Sequence, residues 1–206
     1  MNAMNFRPIL APLLGISLCF TLSSRPGLAG RTDLAEQFVA QAVSVSSSES
    51  SGPVSIYIER WSTDEELNNL LGPIMSDDAA SLLPVLQRQK QRAGVVLMPG
   101  VGAHGARVRT RTPKNLLFAR AIDTPTGRRV IVASDEHLGL GEPRLEARKE
   151  VSEFNLMDIR FGPDGKGVAK VAGPGDVAFD PVTKVLELKN YAMQPARLID
   201  VRSEKP

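Results

Sequence analysis

Hydrophobic and polar residues alternate along the segment from Pro53 to Trp61. Val54, Ile56 and Ile58 would share one face of an extended chain, with polar residues between them. A period of two is typical of a strand that buries one face. The pattern therefore predicts the first strand of the domain here.

Two short helices are predicted directly after this strand. Ser62 and Glu65 have the spacing of a capping box and precede leucines at helical intervals, and Gly72-Pro73 ends this first helix. Ser76 begins a second helical pattern. Pro84 lies within it, so that helix either kinks or begins later.

From Gly94 onward the pattern predicts strand after strand. Turn sequences such as Pro163-Asp164-Gly165 separate the short apolar runs. The predicted strands are 95–98, 106–112, 116–122, 129–133, 151–161, 167–172, 176–179, 185–188 and 197–202. The fold class is therefore α+β and mainly β: an antiparallel meander with a helical pair inserted after the first strand. A curled sheet, a sandwich and a partly closed barrel stay open.

The first 29 residues have the pattern of an export signal. Arg7 precedes an apolar run from Ile9 to Leu22, and small residues at Gly27 and Ala29 suit a cleavage site after Ala29. The run of about 14 residues is shorter than the ~20 that a spanning helix needs. We expect an exported protein, periplasmic or extracellular, with no integral membrane segment after processing; an uncleaved anchor is the alternative.

Residues 30–52 are predicted to form a weak helix, from Asp33 to Val45, followed by a serine-rich linker. Residues 53–206 are then one β-rich domain, which suits a chain of 206 residues. The only cysteine, Cys19, lies in the signal segment, so the processed chain could form no disulfide within itself.

Charge and aromatic content argue against nucleic acid as a partner. Lys and Arg number 25 against 23 Asp and Glu, and aromatic residues make up 5%. A nucleic-acid-binding protein normally shows a clear basic excess and aromatic residues for stacking. Possible partners are a small molecule or an envelope protein, and no cofactor is predicted.

Candidate acid/base chemistry is confined to one strand end. Asp135, Glu136 and His137 follow the predicted strand 129–133 and bring suitable oxygen and nitrogen groups together for proton transfer or metal binding. A polar loop is the other interpretation, and no metal site is assigned. His104 lies in a glycine-rich segment that lacks the spacing of a dinucleotide-binding loop.

Three arginines alternate along one predicted strand. Arg107, Arg109 and Arg111 would project from the same face, where guanidinium groups could hold a carboxylate, phosphate or sulfate. A solvated face paired with acidic neighbours is the alternative. Trp61, the only tryptophan, could either line a pocket or join sheet to helix.

Two stretches resemble a family of exported bacterial proteins of unknown function. They are Ile58-Glu59-Arg60-Trp61-Ser62-Thr63-Asp64-Glu65-Glu66 and Leu186-Glu187-Leu188-Lys189-Asn190-Tyr191-Ala192-Met193-Gln194-Pro195-Ala196-Arg197-Leu198. In that family a strand ending in Trp-Ser-Thr precedes two short helices and a β-rich region closing with Asn-Tyr and Gln-Pro. The resemblance covers most of residues 53–203 and implies no catalytic residue.

The sequence leaves three functions open. The first is an exported, non-enzymatic binding or interaction domain, favoured by many predicted strands and the absence of short catalytic motifs such as Gly-x-Ser-x-Gly. The second is a hydrolase or isomerase of unfamiliar type that uses Asp135, Glu136 and His137. The third is a structural protein associated with the cell envelope.

Overall fold

The computed structural model describes residues 34–43, 52–76, 78, 81–97, 113–138, 140, 154–182 and 184–204. The predicted signal peptide, the serine tract, His104 and the three arginines at 107, 109 and 111 lie outside these residues. The strands are β1 (Glu36–Ala42), β2 (Gly52–Ile58), β3 (Gly94–Leu97), β4 (Pro113–Leu116), β5 (Phe118–Thr124), β6 (Gly127–Ser134), β7 (Asn155–Phe161), β8 (Gly167–Ala172), β9 (Val177–Asp180), β10 (Val185–Leu188) and β11 (Leu198–Glu204). The helices are α1 (Asp64–Met75) and α2 (Leu82–Gln87).

Nine of these strands form one antiparallel sheet in the order β4-β3-β2-β1-β11-β8-β7-β6-β5. Its two edge strands, β4 and β5, are separated in the chain only by Leu117. A single bent segment therefore pairs with β3 on one side and β6 on the other, and the sheet is nearly closed and barrel-like. The predicted mainly β, α+β fold is confirmed. The helical pair follows the strand predicted to be the first, at residues 53–61, but that strand is β2 because β1 precedes it.

Hydrogen bonds complete the closure where the edges meet. The Leu117 amide donates to the carbonyl of Ala133 at 2.9 Å. Ser62, just beyond β2, donates its backbone amide to the Ala119 carbonyl at 2.7 Å and accepts the Ala119 amide on its hydroxyl at 3.0 Å. Since Ser62 is buried, these bonds satisfy β5 backbone groups that water does not reach.

Apolar side chains fill the inside of the barrel. They alternate along the strands with outward-facing residues, as a half-buried sheet requires. Phe38 and Phe161 lie close together within this core, with ring centroids 5.7 Å apart. The core also contains Val54, Ile56, Ile58, Val96, Leu116, Val130, Val132, Met157, Ile159, Ala169, Val171, Leu198 and Val201.

A second apolar layer covers part of the outside of the sheet. Helices α1 and α2 and the β9–β10 hairpin bury outward-facing residues of β6 and β7 together with Phe118. Leu70 of α1 and Leu86 of α2 are fully buried in this layer. The hairpin thus lies against the barrel rather than joining its sheet. None of the described helices is long and apolar enough to cross a membrane.

The helix boundaries differ from those predicted. The capping box consists of Thr63 and Glu66, one residue later than predicted, because the Ser62 hydroxyl is used in the barrel closure. Helix α1 also runs past Pro73 to Met75, and the packing of Ile74 on the outer layer compensates for the hydrogen bond lost at proline. Helix α2 begins at Leu82, so Pro84 falls in its first turn.

The helix predicted from Asp33 to Val45 is wrong, because this segment contains strand β1. Phe38, Ala40 and Ala42 are buried with a period of two, and β1 pairs with β2 on one side and β11 on the other. The spacing of Leu34 and Phe38 also suits a helix, but these two neighbouring strands decide the outcome. A domain start near Pro53 therefore leaves out a strand from the middle of the sheet.

Candidate functional site

The predicted cluster at the end of β6 is organised around Glu136. Its carboxylate accepts hydrogen bonds from Lys114 at 3.1 Å and from the backbone and side-chain nitrogens of Asn115 at 3.1 and 3.3 Å. Burial raises the pKa of Glu136, but the hydrogen bonds from Asn115 and Lys114 outweigh it and hold the pKa below its usual range. This glutamate ties β4 to the end of β6.

Asp135 and His137 flank Glu136 and are both half-buried. Within the described ranges, no three His, Cys, Asp or Glu side chains come together as a metal site would require. The cluster therefore has one carboxylate already engaged in a structural role, with an aspartate and an imidazole beside it.

A cavity of about 350 Å³ forms a groove between α1 and the β9–β10 hairpin. Leu67 and Leu71 come from the helix, and Phe179 and Pro181 come from the hairpin. These four side chains give the groove an apolar floor. Asp64, Asn68, Arg120 and Lys184 form its polar rim.

The two cations on the rim of this groove differ in their partners. Arg120, which projects outward from β5, pairs with Asp64 in the first turn of α1 at 2.8 Å. Lys184 lies exposed in the β9–β10 turn with a left-handed backbone (φ 54°) and has no ion pair or hydrogen bond to another described residue. The groove therefore combines an apolar floor with one positive charge that no described carboxylate neutralises.

A charged cluster lies on the outer face of β6 and β7. Asp158, fully buried, accepts hydrogen bonds from Arg129 at 2.8 and 2.5 Å and from Arg160 at 3.2 and 3.0 Å. Arg129 and Arg160 are directly opposed on the two strands, an arrangement that is unfavourable unless a carboxylate lies between them. Asp158 supplies that carboxylate.

Tyr191 covers this charged cluster from the segment after β10. The Arg160 guanidinium lies 3.5 Å from the centre of the Tyr191 ring, and the Lys170 ammonium lies 4.3 Å from it. Lys170 also donates to the Tyr191 carbonyl at 2.7 Å. Burial, with a contribution from Asp158, raises the pKa of the Tyr191 phenol.

Arg128 occupies the neighbouring end of the barrel. Both of its terminal nitrogens bind Glu36, the first at 2.6 Å, and its guanidinium lies 5.8 Å from the Phe38 ring and 5.9 Å from the Trp61 ring. Trp61 is thus partly buried against the barrel core and contacts an arginine there. Burial raises the pKa of Glu36, but bonds from Arg128 and Ser203 outweigh it and leave the pKa lowered.

Sequence reasoning missed both surface sites. The groove depends on how a hairpin packs on a helix, which no local pattern reveals. The charged cluster did leave a signal, because Asp158 interrupts the apolar run Leu156-Met157-Asp158-Ile159. A carboxylate inside a buried strand needs partners, and Arg129 on β6 and Arg160 two residues further along β7 provide them.

Comparisons with protein-family models, curated proteins and solved structures found no match for this chain. Its functional interpretation therefore comes from the geometry alone: a barrel-like β domain with an apolar interior, an external helical layer and cavities on its outer surface.

Proposed function

We propose that this protein is a non-enzymatic binding domain that holds an amphipathic anion in the groove between α1 and the β9–β10 hairpin. The observation that carries the proposal is Lys184, which lies on the rim of an apolar groove and has no partner among the described residues. Small-molecule sites are typically apolar clefts with a few polar groups that fix orientation. An apolar chain that ends in one acidic group matches both features.

The size of the groove limits the ligand. Ligand pockets usually enclose roughly 300–1,000 Å³, and this groove, at about 350 Å³, is at the small end of that range. Val182, 88% exposed in the adjoining turn, extends the apolar surface outward. A single chain of several methylene groups, with its carboxylate at Lys184, is the ligand class that we propose.

The enzyme alternative requires groups that the fold already uses. A hydrolase or isomerase built on Asp135, Glu136 and His137 would need Glu136 free to exchange a proton or bind a metal. That carboxylate instead holds Lys114 and Asn115. We therefore favour binding over catalysis; a structural role in the envelope stays as a further hypothesis.

The place of action is part of the proposal. The signal-like first 29 residues and the resemblance to a family of exported proteins of unknown function both support export to the periplasm or beyond. Expressing the full chain in a bacterium and sequencing the N-terminus of the secreted or periplasmic fraction tests this. A start at Gly30 supports cleavage after Ala29, whereas a cytosolic chain that keeps Met1 contradicts it.

The groove is tested with octanoate as the probe and with octanol as its uncharged counterpart. We expect octanoate to shift the methyl resonances of Leu67 and Leu71 in a saturable way, and octanol to bind more weakly. Lys184→Gln should weaken octanoate binding about fivefold, the effect of one exposed charge pair, and leave octanol unaffected.

Two matched controls make the test specific. Lys166→Gln removes the same charge from the β7–β8 turn, which does not line the groove, and should keep wild-type affinity. Leu83→Ala shortens a side chain of the same outer layer outside the groove, for comparison with Leu71→Ala. Equal losses for Lys184→Gln and Lys166→Gln, or resonance shifts that never saturate, would contradict the proposal.

A further inference from the structure

A separate cavity of about 240 Å³ lies at the turn between β5 and β6. The turn residues 124–127 form one wall, and Arg128, Arg129, Arg160 and Phe161 form the rest. It shares no lining residue with the groove beside α1. All the charged side chains that line it among the described residues are arginines.

The turn on which the cavity is built is held in place from both sides. Gly127 has a φ of 132°, and a Cβ at this position would overlap the carbonyl oxygen of Phe161 on β7. Thr124 donates its hydroxyl to the Gly127 carbonyl at 2.6 Å, and Thr126 lies 3.1 Å from that hydroxyl. The wall is therefore preorganised, with the Thr124 hydroxyl hydrogen committed to Gly127 and the Thr126 hydroxyl placed to donate to Thr124.

Arg129 and Arg160 keep donors that the fold does not use. Each binds Asp158 through Nε and one terminal nitrogen. The other terminal nitrogen of Arg129 has only Glu187, at 3.9 Å, and that of Arg160 has no partner among the described residues. A guanidinium carries five N–H donors, so both arginines can accept a further anion while they remain bound to Asp158.

The local charge also favours an anion. Arg129, Arg160 and Lys170 are three cations, and the carboxylates within their network are Asp158 and Glu187. The cluster therefore keeps one positive charge in excess. Arg128 is paired with Glu36 and also interacts with Asp123 opposite it, so the positive excess belongs to the Arg129, Arg160 and Lys170 cluster alone.

We infer that this cavity binds a tetrahedral oxyanion, phosphate or sulfate, either free or as the ester group of a larger molecule. The remaining terminal nitrogens of Arg129 on β6 and Arg160 on β7 approach from two strands, which suits an anion with several oxygens around one centre. Rigid, partly buried arginines with fixed partners also lose little side-chain freedom on binding.

The experiment is a titration of the full chain with inorganic phosphate at constant ionic strength, with chloride as the replaced ion. The side-chain Nε–H resonances of Arg129 and Arg160 and the amide of Gly127 report on the site. We expect saturable shifts with half-saturation below about 10 mM. Phenyl phosphate, titrated in the same way, distinguishes the two sources: tighter binding than phosphate indicates an ester, and equal or weaker binding indicates the free ion.

Arg160→Gln is the decisive variant, because Asp158 keeps Arg129 as its partner and the fold should be retained. We expect it to raise the dissociation constant for phosphate about tenfold. Arg202→Gln, which removes an exposed arginine from β11, is the matched control and should change that constant less than twofold.

Shifts that rise linearly with phosphate, or equal weakening by Arg160→Gln and Arg202→Gln, would overturn the inference. The wild-type titration decides the matter even if a variant unfolds. Since octanoate and phosphate are followed at different residues, failure at one cavity leaves the result at the other intact.

Discussion

Arg129 on β6 and the fully buried Asp158 on β7 form a two-point ion pair on the outside of the barrel, at 2.8 and 2.5 Å. The pair lies beneath the segment that carries Tyr191, and Arg160 shares the same carboxylate. The Asp158 carboxylate thus offsets the electrostatic repulsion between Arg129 and Arg160, which face each other across neighbouring strands.

Removing the Asp158 carboxylate should strongly lower the stability of the fold. Asp158→Asn leaves two opposed guanidinium groups with only Glu187, 3.9 Å from Arg129, as a nearby carboxylate among the described residues, and we expect the free energy of unfolding to fall by about 3–5 kcal/mol. Urea denaturation measures the change. Asp135→Asn, a half-buried aspartate without an ion pair to another described residue, is the control and should cost less than about 1 kcal/mol. Equal losses would argue against a special role for Asp158.

The ion pair between Glu36 and Arg128 should make stability depend on pH. The pKa of Glu36 is lowered in the folded protein, so its contribution is complete above the ordinary glutamate pKa of about 4.3 and is lost as the pH falls through the lower folded value. The stability difference between wild type and Glu36→Gln should therefore shrink between pH 6 and pH 3. Exposed Glu65→Gln is the control. A difference independent of pH would contradict this assignment.

The turn at Gly127 should not tolerate a side chain. Gly127→Ala combines an unfavourable φ with overlap on the Phe161 carbonyl, and we expect a loss of about 3 kcal/mol or more in the free energy of unfolding. Gly165→Ala, in the β7–β8 turn, has a positive φ but open space around the new Cβ, and should cost only about 1–2 kcal/mol. Thermal and urea unfolding measure the stability of both variants. Similar losses of stability would show that the backbone shifts to relieve the overlap with the Phe161 carbonyl.

Ser62 should stabilise the junction where the sheet closes. Ser62→Ala removes the acceptor of the buried Ala119 amide, and an unsatisfied amide costs about 1–3 kcal/mol. We also expect faster hydrogen exchange at Ala119. Ser76→Ala, at the exposed end of α1, should change stability by less than about 0.5 kcal/mol. Unchanged exchange at Ala119 would mean that the closure does not depend on this hydroxyl.

Local sequence pattern accounts for most of the barrel. The alternation of Val54, Ile56 and Ile58 predicts β2, and Pro163-Asp164-Gly165 predicts the β7–β8 turn, because both depend on residues close together in the chain. Strand β1 was predicted as a helix because the spacing of its few apolar residues also suits a helix. Its identity is decided by β11, which pairs Gln37 with Glu204 across more than 160 residues of chain.

The candidate sites were harder to predict from the sequence, because their residues also lie far apart in the chain. Arg129, Asp158 and Lys170 come together only through the register of three strands, and a shift by one residue would send each to the opposite face. The acidic cluster at Asp135 and Glu136 was found because its members are adjacent in sequence. Adjacency suggested shared chemistry, whereas the structure shows Glu136 bridging to β4.

The position of β11 between β1 and β8 has a consequence for how the molecule is assembled. Both neighbours are synthesised earlier, and neither can pair on that side until residues 198–204 are available. Such distant pairing generally slows folding. A nascent chain would thus remain an open, unfinished sheet until β11 arrives, and β11 would enter the sheet by insertion between two strands rather than by addition at an edge.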